Sequence, residues 1–251
     1  MSSTKKELNP EQAAALTGDE RLTVVRELFD EISPHYDLVN DLITLGRIDS
    51  WRRRALKSIR IPQGASMLDV GTGTGWIPAY LGKQRPDLAV TGVDVSQGML
   101  DIAANEAPGA KFLLADATAL PCESGLFDRV VSAFVYRNIQ DRPAALAEMA
   151  RVLAPGGTVM LLDTFTPRQG SFMRPLMRMW LTMVAPLIVR PFAEPGAYKY
   201  LGKTIMGIGS PALVRDEFAR LGLLNARSAV LELGVVAIVT ANAPTETAKR
   251  C

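Results

Sequence analysis

The sequence predicts an α/β fold built on a seven-stranded, mainly parallel sheet with helices on both faces. Three observations predict it. Apolar runs of strand length alternate with helical segments from residue 66 to 165, a glycine cluster follows directly on the first run, and 48% of the 251 residues are hydrophobic, enough to bury a sizeable core. The 28 basic and 26 acidic residues nearly balance, and the net charge of +2 gives no electrostatic case for nucleic acid as a partner.

The elements follow in order. Residues 1–20 carry a basic pair with no apolar run behind it, so a disordered arm is expected there rather than a signal peptide or an anchor. From 21 to 60 the apolar residues recur at helical spacing (Leu22, Val25, Leu28, Phe29, Ile32, then Leu38, Leu42, Leu45), with Pro34 between two segments, which predicts two or three helices before any strand. Residues 61–165 read as a ligand-binding core with strands at 66–70, 88–94, 111–116, 128–135 and 157–165, separated mainly by helices of the length that right-handed crossovers need. "APGG", 154–157, is expected to stop the last of those helices. Residues 168–205 break the alternation and read as an inserted helical segment. A helix at 211–223 and two antiparallel strands, "RSAVLEL" and "GVVAIVTAN", complete the single domain 21–242, and 243–251 are expected to be a disordered tail.

The longest uncharged apolar run, 179–189, is bounded by Arg178 and Arg190 and broken by Pro186. It is too short for a bilayer that needs about 20 residues, so a cytoplasmic protein, at most peripheral to a membrane, is expected. Cys122, Cys251 and the lone His35 lack metal-ligand spacing, which predicts no metal site and a reduced compartment.

The chemistry begins at "LDVGTGTGW", 68–76, which places Gly71, Gly73 and Gly75 where the first strand meets its helix. Glycines there let the backbone turn sharply and approach a ligand at the carboxyl ends of the strands. A dinucleotide fingerprint would need its third glycine at position 76, where the chain has Trp76. Asp94 ends the second strand, placed to accept both hydroxyls of a ribose; Asp116, ending the third, can accept from an adenine amino group; Asp69 can face an ammonium. Any one of these acids also serves as a helix cap. Together they describe a ligand with an adenosine and a cationic amino-acid tail, S-adenosylmethionine.

The run from "LDVGTGTGW" through "VTGVDVSQGMLDIA" and "LLADATALP" to "FDRVVSAFVYRNIQD" and "LAPGGTVMLLD" resembles class I S-adenosylmethionine-dependent methyltransferases, whose fold is Rossmann-like. The N-terminal "FDEISPHYDLVNDLITLGRIDSWRRRAL", the pair "RN" and the late "AYKYLGKTI" are similar to the ubiquinone/menaquinone biosynthesis C-methyltransferases across nearly the whole chain. That resemblance implies cofactor contacts at Asp69, Gly71, Gly73, Thr74, Asp94, Asp116, Ala117 and Ala133. It implies catalytic roles for Arg137, Asn138 and Tyr36, and acceptor contacts at Asn40, Tyr198 and Tyr200. The acceptor it implies is a prenylated quinol or a similar hydrophobic aromatic. Ala133 stands where the family has serine and Lys203 where it has an acid, which keeps open a second lipid substrate such as phosphatidylethanolamine nitrogen, or a non-catalytic cofactor-binding subunit.

In this reading Arg137 stabilises a phenolate and Asn138 orients the ring oxygen. By residue type alone Arg137 is equally a surface charge and Asn138 a cap for the following helix. Tyr36 and Asn40 share a helix face. The basic run "WRRRALK", 51–57, reads as a solvated face that can touch anionic lipid. Met173, Met177, Met179, Met183, Trp180, Leu181, Leu187 and Ile188, flanked by Arg174, Arg178 and Arg190, are expected to form an apolar lid over the acceptor, in contact with a membrane or a second copy of the chain.

Overall fold

The structure is a computed structural model that describes residues 33–189 and 207–245, together with Thr23, Arg26, Glu27, Phe29, Asp30 and Pro191. After a short 3-10 turn at Ser33–His35 come α1 (Tyr36–Thr44) and α2 (Ile48–Lys57). The core then alternates: β1 (Ser66–Val70), α3 (Trp76–Gln84), β2 (Ala89–Asp94), α4 (Gln97–Glu106), β3 (Lys111–Leu114), β4 (Phe127–Ala133), α5 (Arg142–Arg151) and β5 (Leu153–Thr164). A helical stretch follows as α6 (Met173–Met179), a π turn at Trp180–Val184 and α7 (Ala185–Val189), and the fold closes with α8 (Pro211–Arg220), β6 (Leu224–Leu231) and β7 (Val236–Asn242).

Among the described residues the strands form one seven-stranded sheet in the order β3-β2-β1-β4-β5-β7-β6, parallel except for β7, which runs antiparallel to both neighbours. Strand alternation divides the core between two faces. Leu68, Val130, Val159 and Leu161 pack on one side with Leu146 and Met149 of α5 and Val214 and Phe218 of α8. Met67, Val131, Met160 and Leu162 pack on the other with Ala55 and Leu56 of α2 and Ile77 and Leu81 of α3. Two helix starts are capped by side chains: Ser96 Oγ accepts from Met99 N at 3.1 Å on α4, and Asp141 Oδ1 accepts from Ala144 N at 3.0 Å on α5.

β1 lies between β2 and β4, so successive crossovers leave it in opposite directions and open a crevice at its carboxyl end. Three element ends differ from the sequence reading. β3 stops at Leu114, so Asp116 sits in a loop, and β4 stops at Ala133, so Arg137 and Asn138 sit on a separate 3-10 turn, Tyr136–Asn138. "APGG" does not end the strand's predecessor alone. It forms an irregularity inside β5, where the register with β4 jumps between the Phe127–Leu153 and Arg129–Thr158 pairs. Residues 243–245, expected in a disordered tail, stay on that turn: Ala243 N donates to Gly157 O at 2.9 Å and Gly156 N to Pro244 O at 3.2 Å. The expected arm at 1–20 lies outside the described residues.

Candidate active site

The glycine loop is shaped by its neighbours. Gly71 N and Thr72 N both donate to Val93 O, at 2.7 and 3.0 Å, which folds the chain back over the end of β2. Gly71 has φ +72°, and a Cβ there would run into the Val135 side chain. Gly75, at φ +81°, begins α3 against Ala103, whose Cβ lies 2.8 Å from where its own would stand. Both positions need glycine for conformation and for space.

Below this loop opens a cavity of about 580 Å³, a size suited to a nucleoside-containing ligand. Gly71, Gly73, Asp94, Asp116, Ala117 and Thr118 line one part of it. Asp94 accepts from Gly73 N at 2.8 Å and Ser96 N at 3.1 Å, and burial raises its pKa despite those bonds. Asp116 Oδ1 is held by Thr118 through its N–H and its hydroxyl, each at 2.8 Å, so its carboxyl has a set orientation without a strand ladder.

The rest of the wall is apolar and aromatic: Phe29, Tyr36, Phe134, Val135, Ile139 and Pro143. Tyr36 meets Phe29 edge-on at 6.1 Å, and its ring lies 3.9 Å from the open side of Gly73. Phe134 has φ +65°, a conformation that costs a bulky residue about 1–3 kcal/mol. Its N–H donates to Leu162 O at 2.7 Å, and the Arg137 guanidinium lies 5.7 Å from its ring centre. Asn138 lines the cavity with a buried Oδ1 that has no hydrogen-bond partner.

Beside the cavity a hollow of about 20 Å³ is lined by Arg52, Asp69, Thr72, Thr74, Trp76 and Ala133 among others. Asp69 accepts from the Thr72 hydroxyl through Oδ2 at 2.8 Å, while its Oδ1 is buried without a partner. Burial pushes its pKa up to about 7, against the smaller opposing effects of the Thr72 bond and the Arg52 charge. An ammonium is the partner such a carboxylate lacks.

Arg137 is a departure from the sequence reading. It is neither a surface charge nor a lining residue: its guanidinium is buried and pairs with the fully buried Asp163, Nη1 to Oδ1 at 2.7 Å. Asp163 Oδ2 also accepts from Arg137 N at 3.1 Å, and its Oδ1 accepts from Thr164 N at 2.7 Å. The carboxylate therefore clamps the turn that presents Asn138 and Phe134. Nor is Asn138 the cap of α5, since Asp141 does that.

Thr74 bonds not into the cavity but to Asp37, at 2.9 and 3.2 Å, fastening α1 to the loop. Asn40 lies on α1 with a buried, unpartnered Nδ2 and does not line the cavity. Of the basic run, Arg52 is buried with its guanidinium 5.2 Å from the Trp76 ring centre, whereas Arg53 and Arg54 are exposed. No residue of 168–189 lines the cavity, so the described part of the insertion is not a cover over it. Tyr198 and Tyr200 lie outside the described residues.

Sequence reasoning missed Asp163, although a strand-end acid was visible there, and missed Phe29, Gln140 and Asp141 in the wall. No motif marks those three; the fold brings them together.

An adenosine-sized crevice at the β1/β4 switch point, an acid at the end of β2 and another in the loop after β3, and an orphaned acid under the glycine loop suit S-adenosylmethionine. The fold and site define a class I S-adenosylmethionine-dependent methyltransferase. Solved structures agree on the fold: Haemonchus contortus phosphoethanolamine N-methyltransferase 2 in complex with S-adenosyl-L-methionine aligns at TM-score 0.61 and 16% identity over 78% of this chain and 53% of that one. An Aquifex aeolicus SAM-dependent methyltransferase aligns at TM-score 0.53 and 18% identity over 94% and 99%.

The chain belongs to the ubiE/COQ5 methyltransferase family, whose model matches residues 16–242. It is 34% identical over 223 residues to the ubiquinone/menaquinone biosynthesis C-methyltransferase UbiE of Geobacter sulfurreducens, covering 86% of this chain and 87% of the relative. It is 37% identical over 224 residues to the demethylmenaquinone methyltransferase of Thermus thermophilus, covering 86% and 100%. The protein is an enzyme with S-adenosylmethionine as its cofactor, and family membership disfavours both the phospholipid and the non-catalytic alternatives. Among the described residues no helix is long and apolar enough to cross a membrane.

Proposed function

We propose that the enzyme methylates a ring carbon of a prenylated quinol of the demethylmenaquinol or ubiquinol-precursor type. The observation that carries this reading is the division of one cavity into an acidic, glycine-walled part and an aromatic part, with Asn138 Oδ1 buried and unpartnered in its wall. A quinol hydroxyl is the donor that this oxygen lacks. The names of the relatives from Geobacter sulfurreducens and Thermus thermophilus support the same substrate class.

S-adenosylmethionine supplies an electrophilic methyl group when bound. Asp94 and Asp116 hold the adenosine end, and Asp69 takes the ammonium of the tail. Tyr36 and Phe134 confine the quinol ring in the aromatic part. Asn138 fixes the ring by its oxygen, so that the carbon beside the hydroxyl faces the methyl group. Loss of the hydroxyl proton to water makes that carbon nucleophilic, S-adenosylhomocysteine is the leaving group as the bond to carbon forms, and the hydrogen that the carbon carried leaves to water as a proton. The chain's contribution is then positioning. Arg137 acts on this chemistry through the turn it holds rather than by touching the ring. A peripheral contact with the membrane where such quinols dissolve belongs to the same reading.

A labelled-methyl assay with a demethylmenaquinol, a short-tailed naphthoquinol and phosphatidylethanolamine tests this. Label on a ring carbon of the quinols is the expected result. Label on oxygen or nitrogen, or no transfer to either quinol by a chain that binds the cofactor, overturns it.

A further inference from the structure

The helical stretch from Met173 to Val189 is apolar on two faces, and only one is used. Met177, Leu181 and Ala185, four apart, are buried, and the first two pack with Trp180 and Val235. Trp180 Nε1 donates to Ile43 O at 3.2 Å, which ties the stretch to α1, and α7 packs on α1 as well. Phe172, Leu176, Met179, Met183 and Leu187 form a second stripe, and each is 46–72% exposed. Their spacing of four, three, four and four keeps to one helix face, because the wide π turn at 180–184 offsets the drift that four-residue steps accumulate in an α-helix. Leu45, just past the end of α1, is 70% exposed, and Leu38 on α1 is 47% exposed.

An exposed apolar stripe of this length beside a buried one marks a contact with a protein or a membrane. The charge around this one selects the occupant. Residues 165–189 hold three arginines, Arg168, Arg174 and Arg178, and no acid, so this segment alone carries +3 against +2 for the whole chain. A two-fold contact between copies through this face would set arginines against arginines. Anionic lipid headgroups pair with them while the apolar stripe enters the acyl boundary.

We propose that the stripe Phe172–Leu187 is a docking face for an anionic bilayer surface. The proposal rests on the reading that the acceptor is a long-tailed quinol, which partitions into that bilayer. Docking there brings α1 to the lipid, and α1 begins with Tyr36 in the cavity wall.

The test is co-sedimentation of the full chain with vesicles free of quinol, made of phosphatidylcholine alone or of equal parts phosphatidylcholine and phosphatidylglycerol. The wild type should bind the anionic vesicles, and binding should weaken as salt rises. The triple variant Leu176→Ser, Met183→Ser, Leu187→Ser should lose at least about tenfold in partitioning. Its thermal midpoint, its affinity for S-adenosylhomocysteine and its transfer to a short-tailed quinol should stay unchanged, since these side chains are already exposed. No binding of the wild type to anionic vesicles, or equal binding by the variant, overturns the proposal. A wild-type dimer that the variant converts to monomer, with vesicle binding unaltered, also overturns it in favour of a second copy. Vesicle binding without transfer to any quinol sinks the acceptor reading and leaves the docking face standing.

Discussion

Replacing Arg137 with alanine separates two roles for one residue. In the structure the guanidinium is the counter-ion of Asp163, which is 0% exposed and accepts from Arg137 Nη1, Arg137 N and Thr164 N. The substitution removes the charged donor and leaves a carboxylate in the core with two backbone N–H groups. Breaking a buried pair in this way costs about 3–5 kcal/mol. The two remaining N–H bonds keep the loss near the lower end, about 3 kcal/mol, against a total stability of roughly 5–15 kcal/mol, so the variant still folds. Urea unfolding of the cofactor-free chain should show a midpoint lowered by about 1 M, taking a slope near 3 kcal/mol per molar. The double variant Arg137→Met, Asp163→Leu should lose less than the sum of its two single changes, because it leaves no unpaired charge. A loss under about 1 kcal/mol, the value of an exposed pair, would refute the clamp. Unchanged stability with abolished turnover would return Arg137 to the acceptor, as the family resemblance implied.

Three further outcomes are expected. Asp94→Ala should weaken S-adenosylhomocysteine binding by about 10- to 150-fold, the equivalent of 1.5–3 kcal/mol for hydrogen bonds to a charged acceptor; calorimetric titration with unchanged affinity removes Asp94 from the ribose. Asn138→Ala should lower turnover more than cofactor affinity, since its Oδ1 has no hydrogen-bond partner within the protein; wild-type rates on the true acceptor would end its assigned role. Asp69 has a folded pKa of about 7 against 3.8 when free, so the folded state holds a proton that the unfolded state has released across that interval. Its contribution to stability is present below about pH 4 and lost as pH rises through about 7, and Asp69→Asn should remove that decline. Superimposable pH profiles of the unfolding midpoint for variant and wild type would contradict the burial argument.

The glycine loop and the acid at the end of β2 were legible because each depends on local covalent facts. A turn at φ +72° strongly favours glycine, and an acid about 20 residues further on falls at the next strand end once strand and helix lengths are set. Asp116 was legible as a residue but not as a geometry, since Thr118 rather than the strand orients it. Arg137 was legible only as a residue beside the site.

By itself, then, the sequence determined the order of elements, the mainly parallel sheet and the acidic, glycine-walled part of the cavity, because apolar periodicity and glycine placement act over a few residues. Tertiary structure alone decided three things. Arg137 turns inward because β4 and β5 bring Asp163, 26 positions away, under its turn. Asp69 titrates near neutrality because the packed loop and α2 take its environment away from water. One face of the 173–189 helix is buried and another open because two apolar stripes of similar composition carry no mark of which one its neighbours will cover, and only the position of α1 and Val235 makes that choice.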